Sequence, residues 1–578
     1  MSAAAALLAL LYAGLMADGL RPDWAWAVGG LWLGGCLWAC RRRSARPLAV
    51  WLPYLAWALL SAAACGGRLA GLGALSRWAG ALAFYAAAVT LWRPRHRRRW
   101  LKILLLAGPL LGLAALATGW TQVRVYGSGE SMTGFLPPYY NYTCFVLAAC
   151  GAAALGALGG EAEAGGLLAR PALGVVAGLC ASLLVVARAR SALLGLLAGA
   201  VVAAYRQHSG RVLKLAAALL GGSAVVFTAA MMALHVSGPL LMLKLDKAKA
   251  FKRPQLWLAA AQVIADHPVL GEGPGQFESG FRRHVFAAGY GVARYRFTTA
   301  YAHSEPLQLA ADTGLVGAVL WAGGLWASLG PAGASLEAQA AVAAAAAMTV
   351  PLAFDNMLQL PALAFLFFSA LAVGFSDERR QEDRAAPRGW AAAALLVGVL
   401  ALAAAAAARV RVELSKESGP PAARLARARR REDLWPRDPG GFQAQARADM
   451  GMRPARVEEA LSALRRASAL APYDAFVLVW GAELQRARGA WPQARKLALR
   501  ALELEPDFLQ ARLLLAESLL RQRPAAARAE LSELERRRAA LRAEGLYGPE
   551  RSRFTDYDRQ LGSLDQRREA LLRAALHS

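Results

Sequence analysis

The sequence is poor in charged residues and in cysteine. Of 578 residues, 18% are charged and 57% are hydrophobic, whereas an ordinary soluble chain has about 25% charged residues. This composition excludes a wholly soluble enzyme. The cysteines are too few and too badly placed for a disulfide framework or a tetrahedral metal cage. All six lie within or at the ends of apolar runs: Cys36, Cys40, Cys65, Cys144, Cys150 and Cys180.

Acidic residues are scarce relative to basic ones. The chain has 40 Asp and Glu against 66 Lys and Arg, a net charge of +26, which in a soluble protein would indicate a nucleic-acid partner. Here the arginines cluster between apolar runs, and no basic surface is interleaved with aromatic residues that stack on bases. We therefore expect no nucleic acid, and we interpret the clusters as cytoplasmic loops of a membrane protein.

The apolar runs lack the alternation of a transmembrane β-barrel, so the spans they form are helices. Each run has about 16–20 residues, close to the length of a helix that crosses the hydrocarbon core. We predict an all-α, polytopic membrane protein with about 13 spans. The predicted spans are about 3–18, 24–40, 48–65, 78–92, 101–119, 139–159, 172–187, 191–205, 215–234, 314–329, 339–357, 361–376 and 390–408.

The arginine-rich links between spans all fall on one side when the spans are threaded in order. These links are 41–46, 93–99, 206–214 and 379–388. By the positive-inside rule, they place the N-terminus in the cytoplasm and the chain after residue 408 outside. No positively charged residue precedes the first span, so we interpret it as a retained helix rather than a cleaved signal peptide.

Two predicted external regions are long enough to carry function. We divide the chain into N-terminal membrane helices at 1–234, an external loop at 235–313, C-terminal membrane helices at 314–408 and a soluble domain at 409–578. A loop of about 80 residues far exceeds the usual connection and is typical of a functional segment. Within it, residues 253–266 have apolar positions at helical spacing, which predicts a helix on the membrane surface.

The soluble domain contains an internal repeat with a period of about 34 residues. Small residues at recurring positions are typical of tetratricopeptide repeats, in which they lie where two helices touch. We expect Leu531–Ala540 to form a capping helix. The domain either recruits a protein or a glycan, or stabilises the rest of the chain. Ala448, Ala460, Ala467 and Pro472 recur as Ala482, Ala494, Ala501 and Pro506, and Ala516 continues the series.

Two arginines lie on the predicted outer face, against the charge pattern of the other loops. Arg188 and Arg190 separate two spans with almost no loop between them. A guanidinium group at this level suits a phosphate group, because its donors match phosphate oxygens and its charge survives burial. The alternative is that both side chains extend to lipid headgroups.

Four motifs carry a family resemblance. The glycine-rich one lacks the Gly-Lys-Ser/Thr of a phosphate loop, so we expect no nucleotide there. In order, the motifs are Arg190-Ser191-Ala192-Leu193-Leu194-Gly195, Arg253 four residues before Trp257, the segment Asp266 to Phe277, and Ala302-His303-Ser304-Glu305 continuing to Gly317. Together with the topology they resemble the O-antigen ligase and polymerase superfamily of bacterial envelopes, over about residues 1–408. Ser304 stands where that family commonly has Asn.

The resemblance implies a glycosyltransferase that uses no metal and no cofactor and acts at the outer face of the bacterial inner membrane. Its donor would be a glycan on undecaprenyl pyrophosphate. By match to the family motifs, Arg190 and Arg253 would bind the pyrophosphate, with Arg188 as a close substitute for Arg190. His303 would take the proton of the acceptor hydroxyl.

The acceptor stays open at this point. Lipid A core, a growing glycan and a protein hydroxyl would correspond to a ligase, a polymerase and a protein O-oligosaccharyltransferase. Glu305 and Asp312 either orient His303 or an acceptor, or cap and solvate a short helix. Asp355 is a further candidate for acceptor binding. The plainer alternative for His303 is a cap on the helix that begins near Glu305.

Two other classes of function compete with an enzyme. The repeats raise the possibility of a membrane-anchored scaffold that assembles an envelope complex. A transporter is disfavoured, because the spans contain few acidic residues and no inverted repeat of broken helices is evident. The shared outer face of Arg190, Arg253 and His303 favours the enzyme.

Overall fold

The computed structural model is helical throughout the residues that it describes. No strand occurs among them, so the predicted all-α class is confirmed. The described residues are 4–7, 33–38, 49–65, 69–126, 140–158, 169–187, 189–233, 253–287, 294–295, 298–329, 335–375, 389–543 and 562–577.

The first part of the chain forms the apolar helices and the external loop. It also contains a 3-10 helix at Met357–Gln359. In chain order the helices are α1 (Leu52–Ala64), α2 (Leu72–Leu91), α3 (Pro94–Tyr126), α4 (Tyr140–Leu158), α5 (Arg170–Val186), α6 (Arg190–Arg206), α7 (Gly210–Ala233), α8 (Arg253–Asp266), α9 (Phe277–Phe281), α10 (Glu305–Leu329), α11 (Leu336–Leu352), α12 (Pro361–Phe375) and α13 (Gly389–Leu414).

Five of these helices are long and apolar enough to cross a membrane, by length and composition. Four more, α1, α5, α11 and α12, are apolar but shorter. From 48–65 onward, each predicted span coincides with a helix. The predicted total of about 13 spans stays a prediction, because 3–18 and 24–40 lie largely outside the described residues. The five longer segments are Leu72–Leu91, Pro94–Ala117, Asn141–Leu158, Glu305–Leu329 and Ala393–Leu414.

Small residues allow α6 and α11 to pack in close contact. A Cβ atom on Gly195 would collide with the carbonyl oxygen of Ala347, and one on Gly199 would lie 2.6 Å from the carbonyl oxygen of Ala343. Such small-residue contacts are the usual way for helices to pack tightly in membranes. The register decreases along α11 as it increases along α6, so the two helices are antiparallel. The start of α6 therefore lies beside the end of α11.

A cluster of aromatic rings joins α1, α2, α10 and α12. The ring of Trp51 makes edge-to-face contacts with Tyr85, Trp321 and Phe368, and Trp78 contacts the last two rings in the same way. Edge-to-face pairs add stability beyond the area that they bury. This cluster fixes α10, the helix that follows His303, against the rest of the apolar core.

A break in α10 connects this helix to the external loop. Gly314 has φ 72° and ψ 173° inside the helix, a conformation open to glycine alone. Two backbone hydrogen bonds join the loop to α10 on either side of this break. Leu315 donates its N–H to Pro268 O at 2.8 Å, and Glu272 donates its N–H to Ala311 O at 2.8 Å. The loop segment 268–273 is thus held by backbone hydrogen bonds along α10.

The described part of the external loop has its own small hydrophobic core. The helix predicted at 253–266 is confirmed as α8. Its buried face, which includes Leu256 and Val263, packs against Phe277, Phe281 and Ala302. Protein contacts therefore account for the apolar spacing of α8, which the sequence analysis assigned to a membrane surface.

The chain after α13 forms antiparallel helix pairs. The recurring alanines, Ala448, Ala460, Ala467, Ala482, Ala494, Ala501 and Ala516, are all fully buried. Pro472 and Pro506 follow the ends of second helices, as predicted, and the segment predicted as a cap lies within the helix Pro524–Ala543. Assignment to tetratricopeptide repeats stays a prediction. The helices are α14 (Pro421–Leu434), α15 (Pro439–Met450), α16 (Val457–Leu470), α17 (Ala475–Ala487), α18 (Trp491–Leu504), α19 (Leu509–Leu519), α20 (Pro524–Ala543) and α21 (Gln566–His577).

Candidate functional site

Three residues that the sequence analysis singled out separately meet at one point. His303 precedes α10 and Asp355 follows the end of α11, yet Nδ1 of His303 lies 3.1 Å from Oδ1 of Asp355. Nη2 of Arg253, the first residue of α8, lies 3.4 Å from Oδ2 of the same carboxylate. One acid therefore contacts both the histidine and an arginine of the external loop.

Asp355 is held on its other sides as well. Asn141 donates from Nδ2 to Oδ2 at 2.8 Å, and the N–H of Asn356 donates to Oδ1 at 2.9 Å. Burial raises the pKa of Asp355, but the hydrogen bond with His303 and the charge of Arg253 outweigh that effect and lower the pKa below its ordinary value. Asp355 is therefore ionised at neutral pH.

This arrangement fixes how His303 faces solvent. The carboxylate occupies Nδ1, and 41% of the side chain is exposed. His303 also has φ +49°, unusual for a residue other than glycine. A histidine that an acid holds at one ring nitrogen has the other, Nε2, free for proton transfer. Asp355 contacts His303 and Arg253, and its expected role in binding the acceptor stays a prediction.

The spacing of Arg253 and Trp257 has a simple geometric cause. Residues four apart lie on one face of a helix, and both side chains of α8 point toward the histidine segment. Nε1 of Trp257 donates to the carbonyl oxygen of His303 at 3.3 Å. The Arg-x-x-x-Trp motif thus fixes α8 against the residues on either side of the His303–Asp355 contact.

Glu305 and Asp312 are buried supports of the same region. Glu305 is fully buried and accepts from Nδ2 of Asn356 at 3.0 Å and Nε2 of Gln359 at 3.1 Å. Asp312, also buried, accepts from Nε2 of Gln308 at 3.2 Å. Both carboxylates thus accept hydrogen bonds from side-chain amides near them. Whether they orient His303 or an acceptor stays a prediction.

Of the two arginines predicted to bind phosphate near the start of α6, the structure describes only Arg190. Arg188 lies outside the described residues. Arg190 is the first residue of α6 and is exposed. Because α6 and α11 are antiparallel, Arg190 lies at the same end of the helix pair as the segment from Leu352 to Asp355. The packing therefore brings Arg190 to the level of the His303–Asp355 contact.

Two partners of the site had no signal in the sequence. Asn141 lies near the start of α4, in none of the motifs, and Asn356 looked like an ordinary residue of a span end. Only the packing of α4 beside α11 brings Asn141 to Asp355. In the part of the chain that the structure describes, no group of three or more His, Cys, Asp or Glu residues could hold a metal ion.

Comparison with known proteins identifies a related family for the middle of the chain. Residues 175–322 match the family model described as O-Antigen ligase. The matched region contains Arg190, Arg253 and His303, whereas Asp355 lies beyond it. No curated protein matches the chain. With the apolar helices, the match indicates a multi-pass membrane protein that processes glycans in the manner of a ligase or polymerase, and it supports the O-antigen ligase superfamily as the family of this region.

Proposed function

We propose that this protein is a membrane glycosyltransferase that moves a glycan from undecaprenyl pyrophosphate to an acceptor hydroxyl at the outer face of the bacterial inner membrane. The contact of His303 with Asp355 and Arg253 is the observation that carries this proposal. It combines a group that can accept a proton with a cation that can bind phosphate, and both belong to the external loop and its flanks.

His303 is the general base of the proposed reaction. The acceptor hydroxyl gives its proton to Nε2 of His303 as its oxygen attacks the anomeric carbon of the donor. Asp355 accepts a hydrogen bond from Nδ1–H of His303, stays ionised and stabilises the imidazolium ion that forms. The bond between the anomeric carbon and the pyrophosphate oxygen breaks, and the pyrophosphate leaves on its lipid with the bonding electron pair.

The arginines stabilise the leaving pyrophosphate. Negative charge develops on the leaving oxygen, and fixed guanidinium groups lower the energy of that state without a metal ion. Arg253 and Arg190 are assigned this role, with Arg188 as a close substitute for Arg190. Glu305 and Asp312 support the site through amides: Glu305 holds Asn356, whose N–H contacts Asp355.

The acceptor distinguishes three versions of this enzyme: a ligase to lipid A core, a polymerase and a protein O-oligosaccharyltransferase. Mass spectrometry of undecaprenyl-pyrophosphate glycans in cells with and without the gene separates the polymerase from the other two. Single repeat units that accumulate on loss of the gene identify a polymerase, and long lipid-linked chains identify a transferase. The C-terminal helices, as tetratricopeptide-like repeats, either recruit a protein or glycan partner or stabilise the rest of the chain.

The test of the proposed function is His303→Ala with His208→Ala as its matched control. Both histidines have positive φ, 49° and 48°, so the two changes have similar effects on the backbone. We expect His303→Ala to reach the membrane in normal amount and to accumulate lipid-linked glycan, while His208→Ala processes it normally. EDTA should leave the activity of the wild-type protein unchanged. Normal turnover by His303→Ala would remove its assigned role.

The scaffold alternative predicts a different result. If the protein only assembles a complex, the C-terminal helices attached to an unrelated membrane helix should restore the phenotype of a deletion strain. The enzyme requires His303 in the same chain and predicts that this fusion fails.

A further inference from the structure

A buried acid of the external loop is shared with the C-terminal helices. The side chain of Glu272 is fully buried. Arg283 of the same loop donates to both of its oxygens, at 3.0 and 2.7 Å. Arg437, between α14 and α15, donates from Nη1 to Oε1 at 2.9 Å and to the backbone oxygen of Glu272 at 2.8 Å. One side chain of the C-terminal part thus reaches into the loop.

A second, independent contact joins the same two parts. Glu505, fully buried at the end of α18, accepts the N–H groups of Arg294 at 2.9 Å and Tyr295 at 2.6 Å. The ring of Tyr295 stacks on Tyr473, with centroids 5.1 Å apart and planes at 21°. Here loop backbone, rather than a loop side chain, is held by the C-terminal helices.

Asp474 of the C-terminal part and Arg282 of the loop also interact. Asp474 caps α17 and lies next to Tyr473 of the stack. Burial raises the pKa of Asp474, while hydrogen bonds from the helix backbone and the charge of the loop residue Arg282 oppose that rise. Near Tyr295 and Tyr473 the loop therefore contributes Arg282 and backbone N–H groups, and the C-terminal side contributes Glu505 and Asp474. At Glu272 the arrangement is the reverse, because the loop contributes the acid and the C-terminal side contributes Arg437.

These contacts lead mechanically to the proposed site. Glu272 and Gly273 donate their backbone N–H groups to Ala311 and Asp312 of α10, and α10 begins two residues after His303. Tyr295 precedes His303 by eight residues in the chain. The C-terminal helices therefore contact the loop segment that is hydrogen-bonded to α10 and also hold the chain eight residues before the histidine.

We propose that the C-terminal helices position the external loop for reaction, with Arg437 and Glu505 as positioning residues that act through Glu272 and through residues 294–295. The inference rests on the proposed function for its reaction, although the docking itself does not. Loss of Arg437 would leave a buried carboxylate with one cation fewer, and a buried ion that loses a partner is strongly destabilised. The loop segment at Glu272 would then shift or open.

The experiment compares three full-length variants in lipid nanodiscs. Arg437→Met removes the cation and keeps an unbranched apolar stem, and Arg437→Lys keeps the charge. Arg521→Met changes an exposed arginine elsewhere in the C-terminal helices. Hydrogen exchange is measured for peptides covering 267–275 and, as a folding check, 475–519. Turnover of lipid-linked glycan is measured in cells.

We expect Arg437→Met to exchange faster at 267–275 with unchanged protection at 475–519, and its turnover to fall on the order of tenfold, since small displacements of a reacting group have effects of this size or larger. Arg437→Lys should recover part of both losses, and Arg521→Met should match the wild type. If Arg437→Met does not accumulate, Glu505→Gln is measured in its place, at residues 294–295.

Three outcomes overturn the inference. Unchanged exchange at 267–275 would mean that Arg437 does not hold the loop. Faster exchange with normal turnover would mean that docking does not position the reacting group. Loss of protection at 475–519 in both Arg437→Met and Glu505→Gln, but not in Arg521→Met, would mean that Arg437 and Glu505 only stabilise the fold. Failure of His303→Ala to affect turnover would instead refute the proposed function, which leaves the exchange result standing by itself.

Discussion

Replacement of Asp355 by Asn tests the assigned mechanism most directly. The change keeps the size of the side chain and removes the negative charge 3.1 Å from Nδ1 of His303. The attraction between unit charges at that distance is about 5 kcal/mol at an effective dielectric constant of 20 and about 1.3 kcal/mol in water. Because 41% of the histidine side chain is exposed, we take a value near the lower end, about 2 kcal/mol.

The imidazolium ion exists only as the acceptor proton is transferred, so this loss falls on the transition state. We therefore expect kcat to fall about 30-fold in Asp355→Asn. The KM for the lipid-linked donor should not rise, because Arg253 loses a competing carboxylate. Steady-state turnover in nanodiscs measures both constants, with the exposed Asp433→Asn as control. A kcat within about threefold of the wild-type value would refute the assigned role of Asp355.

The same variant has a pH signature in stability. The pKa of folded Asp355 is below the ordinary 3.8, so the folded state favours the ionised form. Its contribution to stability is present above pH 3.8 and is lost as the pH falls through the lower, folded-state pKa. The difference in Tm between wild type and Asp355→Asn should therefore be largest near neutral pH and shrink below pH 3.8. A constant difference across this range would contradict the contact.

Three further predictions concern single positions. In a thermal unfolding assay, Gly314→Ala should destabilise the fold by about 3 kcal/mol, since φ is 72° and the added Cβ would collide with the carbonyl oxygen of Val269. The control is Gly323→Ala, where the added Cβ meets nothing within 4 Å. This change should be neutral or stabilising by up to about 1 kcal/mol. Arg253→Lys should raise the donor KM about tenfold and Arg253→Ala further, because lysine lacks the fork of donors; equal KM values for the two variants would contradict phosphate binding by the guanidinium. Burial raises the pKa of Glu432 from 4.5 to about 7, so its stabilising effect is complete below pH 4.5 and lost as the pH rises through 7. Above pH 7, the free energy of unfolding of Glu432→Gln should be higher than that of the wild type by about 1 kcal/mol, after allowance for solvent screening. Below pH 4.5 the two proteins should have the same Tm.

The helical architecture was largely predictable because it depends on local signals. A run of about 20 apolar residues has no alternative in lipid but a helix, and the predicted spans from 48–65 onward coincide with helices. Helix ends were less predictable from the sequence. The span predicted to end at 357 ends at Leu352. Asp355 thus leaves the helix and turns toward His303.

The site could be predicted residue by residue but not as an arrangement. Arg253, His303 and Asp355 each stood out by motif or position. Their contact joins residues 52 and 102 positions apart and depends on how α8, α10 and α11 pack, which no spacing encodes. Asn141 had no signal at all. The link from Arg437 to Glu272 was equally hidden, because one arginine among many basic residues looks like part of a solvated face.

The glycines between α6 and α11 set a limit on how this sequence can diverge. At Gly195 and Gly199 the space for even one methyl group is filled by backbone atoms of the facing helix, and backbone cannot be exchanged for something smaller. A larger residue at either position therefore cannot be compensated by a smaller one on the facing helix. Such compensation is possible where two side chains are in contact. By contrast, a Cβ on Gly221 or Gly222 meets nothing within 4 Å. Among homologues, we therefore expect sequence variation at Gly221 and Gly222 of α7, and almost none at Gly195 and Gly199 of α6, the helix that begins with Arg190.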